Sequence, residues 1–471
     1  MKLLYYILFF AIFGSRYLFV ICQNVPSPRR QQTSTLVGAR LYFFGGGISP
    51  TSITNEVWYL DLSSSFKIST PPWHSNVAMP VRYNLGSSCL SPIDSSTVFL
   101  IGGRTWTVTT GNYSYTSSVY KFDSKTSQWT TPTINNFNSS FEARNEMQAV
   151  IDDYGKIFVF GGNDYINPTR TPISNVYNDM NTLDITTMTW STQAQSQSAL
   201  TNYAYTATLL PNGLIVYIGG YSGSNTSTSN TNMAQIQVFD TKLYAWSTKP
   251  ASGSIIASRR HQSAVLTQDG NIIIYGGSTH DSSGNIAYVF SDIAVLNTNS
   301  WVWSVPSVSG ISAPPLMQHS AVLYKNYMIL AFGATSASIL YTNNIYILDI
   351  QNYTWVTTFN IPTTTKPAKQ TQSNGNSSAD QANNSSSNLY IGIGIGIGVV
   401  ILAIVLFVIG FFIYKNRHKQ EIIATPGTSK DDHIRETHIS TIYTPGMPPP
   451  AKYELTPTYG VPLPGNNYHS S

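Results

Sequence analysis

Cysteine is nearly absent. The 471 residues carry two, Cys22 and Cys89, so no disulfide framework can be built. Charge is scarce as well. Asp, Glu, Lys and Arg make up 10% of the chain, and the net charge of +4 is spread without a long basic stripe. That removes the electrostatic footprint of a nucleic-acid binder. Signatures of catalysis are missing too. There is no Cys-x-x-Cys, no His-Glu-x-x-His, and no glycine loop that opens a helix. Only four histidines, His74, His261, His280 and His319, fall between residues 31 and 361.

What is present is a repeat. A glycine pair stands at Gly45-Gly46, Gly102-Gly103, Gly161-Gly162, Gly219-Gly220 and Gly276-Gly277, and reads as Gly333-Ala334 in a sixth copy. The first glycines are 57, 59, 58, 57 and 57 residues apart. An apolar run precedes each pair: Leu41–Phe44, Val98–Ile101, Ile157–Phe160, Leu214–Ile218, Ile272–Tyr275 and Met328–Phe332. A second landmark keeps the same register. Asp or Asn stands six residues before Trp at Asp123/Trp129, Asp184/Trp190, Asp240/Trp246, Asn297/Trp303 and Asp349/Trp355. The first copy is looser, with Asp61 twelve residues before Trp73. Such a period marks an array of supersecondary units. Each unit reads as strand, turn, strand, glycine pair, polar loop, strand, turn, strand. The pre-glycine runs are apolar at nearly every position, so both faces of each small sheet need cover. Blades packed around an axis provide it.

These features resemble the kelch family of β-propellers, over about Gln31 to Ile361. The expected fold is all-β, a six-bladed kelch-type propeller. Gly102, Gly103, Gly161, Gly162, Gly219, Gly220, Gly276 and Gly277 are assigned repeat-structural roles, as are Trp129, Trp190, Trp246, Trp303 and Trp355. His261 and His319 both precede a Ser-Ala-Val-Leu strand and are read as one recurrent position. The resemblance implies that the loops after the glycine pairs and the blade-to-blade connections open on one binding face. The sequence leaves open whether the ring closes by packing or by a shared strand. Cys89 is expected as a small buried strand residue.

The flanks carry different signals. Residues 1–22 have Lys2, then the apolar run Leu3–Phe13, and read as a signal peptide; an uncleaved anchor helix is the alternative. Residues 362–388 are a Ser/Asn/Thr-rich stalk without apolar periodicity. Residues 389–414 run 26 positions without a charge, enough for a transmembrane helix. Lys415, Arg417 and Lys419 follow at once, which places residues 415–471 in the cytosol and the propeller outside. Gly392, Gly394, Gly396 and Gly398 have the small-xxx-small spacing of a helix-dimerisation face, against the alternative of simple lipid contact. Acceptor sequons for N-glycosylation stand at Asn112, Asn138, Asn225, Asn352, Asn376, Asn383 and Asn384. The tail is rich in Pro and Tyr and is expected to be disordered; Pro445 and Pro448 have polyproline-ligand spacing, and Tyr443, Tyr453 and Tyr459 are candidate phosphorylation sites.

Together these readings describe a single-pass plasma-membrane glycoprotein with an extracellular binding or adhesion module. Its expected partner is an extracellular protein or carbohydrate. No catalytic residue, cofactor or metal ligand is assigned. The enzymatic alternative is a galactose oxidase-like copper radical oxidase, since those enzymes carry kelch-type blades. Their copper needs two tyrosines and two histidines, and no residue here matches them one by one. The other alternative is a receptor that signals through its tail to cytosolic proteins.

Overall fold

The computed structural model of the protein describes residues 24–361, apart from 113–118, 142–143, 165–174, 194–201, 225–226, 282–284 and 336–340. Six antiparallel sheets follow one another along the chain, each with four main strands taken in sequence order. Blade five uses Ser263–Leu266, Asn271–Tyr275, Ile293–Asn297 and Val302–Ser304. The innermost strands are Thr33–Val37, Ser87–Leu90, Ala149–Ile151, Thr206–Leu209, Ser263–Leu266 and Ser320–Tyr324. Each touches the next, and the last touches the first, so the six close around an axis.

The Asp-to-Trp spacing has a local cause. In each blade the acidic or amide side chain ends the third strand and turns the chain by accepting a backbone N–H two residues on. Asp61, Asp123, Asp184, Asp240, Asn297 and Asp349 accept from residues 63, 125, 186, 242, 299 and 351 at 2.8–3.1 Å. In five blades a left-handed residue follows, Ser127, Met188, Tyr244, Trp301 or Tyr353, and the Trp comes two positions later. Blade one replaces this tight turn with an excursion over residues 62–72 before Trp73.

Beyond their first residue the second strands are apolar because consecutive residues serve opposite neighbours. Leu41 and Phe43 pack with Ile329 and Ala331 of blade six, whereas Tyr42 and Phe44 pack with Val98 and Leu100 of blade two. Ile272 and Ile274 likewise join blade four, and Ile273 and Tyr275 join blade six. The fourth-strand tryptophans wedge against the preceding blade. Trp129 meets Phe44 at 5.8 Å, Trp246 meets Phe160 at 4.4 Å, and Trp355 meets Tyr275 at 5.5 Å. Trp73 meets Phe332 of blade six at 5.5 Å, which seals the ring. Trp303 donates its indole N–H to the Met233 carbonyl of blade four at 2.8 Å, and Trp190 stays within its own blade, on Asn181 Oδ1 at 3.1 Å.

Two closed circuits of backbone hydrogen bonds join the blades. In the first, the N–H of Gln31, Leu85, Glu146, Ala204, His261 and Gln318 each donates to the carbonyl of the preceding member, at 2.7–3.0 Å, and Gln31 donates to Gln318. All six have φ between 54° and 63°. In the second, the N–H of Gly46, Gly103, Gly162, Gly220, Gly277 and Gly333 each donates to a carbonyl of the next blade: Tyr83, Arg144, Asn202, Arg259, Leu316 and Arg29, at 2.8–2.9 Å. This circuit explains the glycine pair. A Cβ on Gly45, Gly161, Gly219 or Gly276 would lie 2.1–2.6 Å from that same carbonyl oxygen.

The circuit also corrects the sixth copy. Gly333 is the donor, so it matches the second glycine of the other pairs, and Phe332 stands at the first position with φ 63°. The pair is therefore Phe332-Gly333, not Gly333-Ala334; Ala334 matches Gly47 and Ser278 beyond the pair. An apolar run ending one residue too late produced the offset.

A feature of double period went unread. Arg29, Arg144 and Arg259, each 115 residues from the next, are fully buried before the inner strands of blades one, three and five. Each donates to the carbonyl of the first glycine and pairs with an acid: Glu56, Asp179 and Asp292. Asn202 caps the same carbonyl in blade four.

Ring closure needs no strand exchanged between the ends. Blade six is complete within its own segment. The seam is dressed by the lead-in, where Arg29 exchanges backbone bonds with Thr342 and Gly333. Asn343 Nδ2 donates to the Pro26 carbonyl at 3.0 Å. Thr358-Phe359 pairs with Phe66-Lys67 of the blade-one excursion.

Two outcomes are expected in urea unfolding of the propeller. Gly161→Ala loses about 3 kcal/mol or more, since left-handed strain adds to a clash with Asn202; Gly38→Ala, with equal φ and open space, loses about 1. Arg144→Leu costs about 3–5 kcal/mol because Asp179 stays buried and unpaired, whereas Arg259→Leu costs clearly less because the Asp292 side chain is 43% exposed.

Candidate functional site: the mouth of the axial channel

The two kinds of connection lie side by side on one face. The end of each blade-to-blade connection bridges the start of a post-glycine loop: Arg30 with Gly47, Asn145 with Asn163, Tyr203 with Tyr221, Arg260 with Ser278, and Met317 with Ala334. In blade two, Val81–Asn84 pairs with Arg104–Thr107. The loops of blades four and five rise as hairpins, Tyr221–Ser224 with Ser227–Asn230 and Ser278–His280 with Ile286–Val289.

Where the connections converge on the axis, blades one, three, four, five and six share a polar network. Glu146 Oε2 accepts from Asn163 Nδ2 at 2.9 Å, and its Oε1 lies 3.5 Å from His261 Nε2. Arg260 donates to His280 Nδ1 at 2.9 Å and to Tyr203 at 3.4 Å, and stacks over Tyr221 at 4.4 Å. Arg30 donates to Gln318 Oε1 at 2.9 Å and stacks over Tyr341 at 5.0 Å. Burial alone would raise the Glu146 carboxyl, but hydrogen bonds from His261 and Asn163 and the charge of Arg260 hold it below the usual carboxylate range. Burial lowers His261, and burial with the charge of Arg260 takes His280 to about 3. At neutral pH the mouth therefore holds an ionised Glu146, neutral histidines, and the cations Arg30 and Arg260.

Beneath the mouth the axis contains a cavity of ≈ 200 Å³ between the inner strands. His319 lies in its lining, with Nε2 2.7 Å from Ser263 Oγ; burial pushes its pKa down to about 3. His261 and His319 do not share a position. His261 belongs to the axial circuit, where Gln318 is its counterpart, and His319 matches Gln262. The reading of a recurrent histidine overlooked one residue: His261 stands two before Ser263, His319 one before Ser320. The six left-handed residues and Glu146 also went unread. The signal for Glu146 was its place after Arg144-Asn145, as His261 follows Arg259-Arg260.

Among the described residues no three His, Cys, Asp or Glu side chains come together as a metal would require. Cys89 is buried in the inner strand of blade two. Asn112 and Asn352 are exposed; Asn138 is half-buried and donates to Thr192 Oγ1 at 3.1 Å. Asn225, Asn376, Asn383 and Asn384 lie outside the described residues, as do residues 1–22, 362–388, 389–414 with Gly392, Gly394, Gly396 and Gly398, and 415–471. Among the described residues no helix is long and apolar enough to cross a membrane.

His319 gives the propeller an acid-sensitive limb. It is neutral when folded, while in the unfolded chain it titrates near ~6.5. Its contribution is intact above pH 6.5 and is lost as pH falls towards 3. His319→Gln installs the residue found at this position in blades one and five. The variant is expected to lose about 1–2 kcal/mol less than the parent between pH 7 and 5, read from urea midpoints.

Comparison with known proteins agrees with this architecture. The family described as the KLHDC2/KLHL20/DRC7 Kelch-repeats domain matches residues 31–277 and again 206–383. Kelch domain-containing protein 3 of Rattus norvegicus is 28% identical over 322 residues, 66% of this chain and 79% of that protein. Acyl-CoA-binding domain-containing protein 4 of Arabidopsis thaliana is 27% identical over 253 residues, 51% of this chain and 33% of that one. The solved structure of YjhT covers 70% of this chain and 97% of its own with a TM-score of 0.51; at 14% identity it speaks for the fold alone. With its repeats matched from residue 31 through the sixth blade, the chain belongs to the KLHDC2/KLHL20/DRC7 Kelch-repeats family.

Proposed function

We propose that this protein is a cell-surface binding module rather than an enzyme: a kelch propeller held outside the plasma membrane by the span 389–414, contacting its ligand through the mouth face. One observation carries the reading. Both sets of connections gather on one face across all six blades, and the chain leaves the propeller from the other. The last described residue, Ile361, donates its N–H to Ser65 Oγ in the blade-one excursion, and Phe359 packs on Tyr327 at the first turn of blade six. Those turns lie opposite the glycine pairs. The mouth is the face opposite the chain's exit at Ile361, and it is the face proposed to meet a protein or carbohydrate surface. Arg30 and Arg260, each stacked on a tyrosine, are the proposed contact cations.

Surface labelling of cells that express the full chain tests the topology. A membrane-impermeant amine reagent is expected to modify propeller lysines such as Lys125 and Lys242 but not tail lysines, and glycan is expected on Asn112 and Asn352. Labelling confined to the tail, or an unglycosylated chain, overturns the membrane reading. An Arg30→Glu, Arg260→Glu double variant is expected to lose at least about tenfold in capture of surface proteins or arrayed glycans.

A further inference from the structure

We propose that the exit face of the propeller is a docking surface for a zwitterionic phospholipid bilayer, seated through the turn tips of blades two, three and four. Ile93 stands in the turn between the first two strands of blade two, and Tyr154 in the same turn of blade three. Leu243 stands in the turn between the last two strands of blade four. The three side chains are 61%, 85% and 76% exposed. In the loops after the glycine pairs, among the described residues, the exposed large apolar side chains show less of themselves. Ile48, Val108 and Tyr288 are 37%, 38% and 58% exposed. The more apolar tips therefore stand on the side where the chain leaves at Ile361.

The tips form one strip rather than three isolated residues. A Cβ placed on Gly155, next to Tyr154, would lie 3.5 Å from Ile93 Cδ1, so blades two and three meet there. On the other side, Lys156 donates to Tyr244 Oη at 2.9 Å, and Tyr244 is the neighbour of Leu243. The Tyr244 ring is itself part of the strip, 38% exposed and 6.4 Å from Phe158. Single exposed apolar residues are ordinary, but a strip that crosses three blades marks an interaction site. Its chemistry selects the partner. Aliphatic tips beside tyrosines and a lysine match the boundary between headgroups and acyl chains. Three of the nearby carboxylates are engaged within their own turns. Asp94, Asp152 and Asp240 accept backbone N–H groups there at 2.8–3.1 Å. With Asp153 beside Tyr154, and Asp152 and Asp184 facing Lys156, the strip has no excess of positive charge, which favours zwitterionic over anionic lipid. This docking rests on the membrane reading, in which the uncharged run 389–414 follows the exit after the 27 residues 362–388. A bilayer tied covalently to the propeller needs only weak contact to seat this face.

The test uses the full chain with Cys22→Ser, reconstituted in phosphatidylcholine nanodiscs that hold one chain each. Cys89 is buried, so a nitroxide thiol reagent marks only an added cysteine. The readout is the ratio of accessibility to oxygen, which partitions into lipid, over accessibility to a water-soluble nickel complex. At Tyr154→Cys and Leu243→Cys this ratio is expected to exceed that at Val108→Cys, on the mouth side, by at least about threefold. Ile93→Asp with Tyr154→Asp is expected to bring the ratio at Leu243→Cys down to the mouth value, and an unchanged ratio overturns the proposal. These side chains stand outside the core, so the variants are expected to keep the parent's urea midpoint. Tips that read as wet as Val108→Cys, in a chain that stays in its disc, overturn the docking and leave the membrane reading standing. A chain that does not stay in the disc overturns both. Protection seen only in discs loaded with two chains assigns the strip to a second copy and overturns the lipid.

Discussion

The structure rests on backbone hydrogen bonds that run between blades rather than within them. Each sheet satisfies its own interior ladder, but the chain entering an inner strand has polar groups with no place in it. Twelve of these bonds, arranged as two closed circuits, give those groups partners in the adjacent blade. A circuit closes only if every blade turns its chain by the same angle at the same point. That demand selects left-handed backbone at Gln31, Leu85, Glu146, Ala204, His261 and Gln318, and glycine where the next carbonyl presses in. The side-chain core, with alternate residues sent to opposite neighbours, fills the wedges that the circuits define.

Much of this was legible in residues, though not evenly. Glycine pairs could be read because steric exclusion leaves few substitutes. The Asp-to-Trp spacing could be read because a short turn fixes it residue by residue. The axial circuit left no trace, since Gln, Leu, Glu, Ala and His share no side-chain property. Only the backbone is alike at those positions. The sixth copy shows the limit of counting. Phe332 takes a position where five glycines stand, and the following Gly333 drew the register forward by one. A single step also separates His261, on the axis, from His319, between blades five and six. One residue of offset in a strand changes what a side chain faces, so two similar tetrapeptides hid two different environments.

Charge is spent sparingly and placed with care. With 10% of its residues charged, the chain still buries three arginines completely, each against an acid and a glycine carbonyl. Of the three, Arg144 alone has its acid buried as well; Glu56 and Asp292 keep 44% and 43% of their side chains exposed, so it is the guanidiniums that leave water. Their recurrence in alternate blades suits a positional role, fixing where each connection crosses towards the axis. It also leaves Arg30 and Arg260, the residues just after two of them, to face the mouth.

The seam between blades six and one is where the chain both enters and leaves the ring. Pro26, Arg29, Phe66 and Phe359 all belong to it, and no strand is shared across it. Pull applied to the chain beyond Ile361 is therefore received first by the two-residue ribbon of Thr358-Phe359 on Phe66-Lys67, not by any blade. The next segment back along the chain is Thr354–Val356, the outer strand of blade six, so load at this end passes from the ribbon to the edge of one blade and spares the contacts that close the ring.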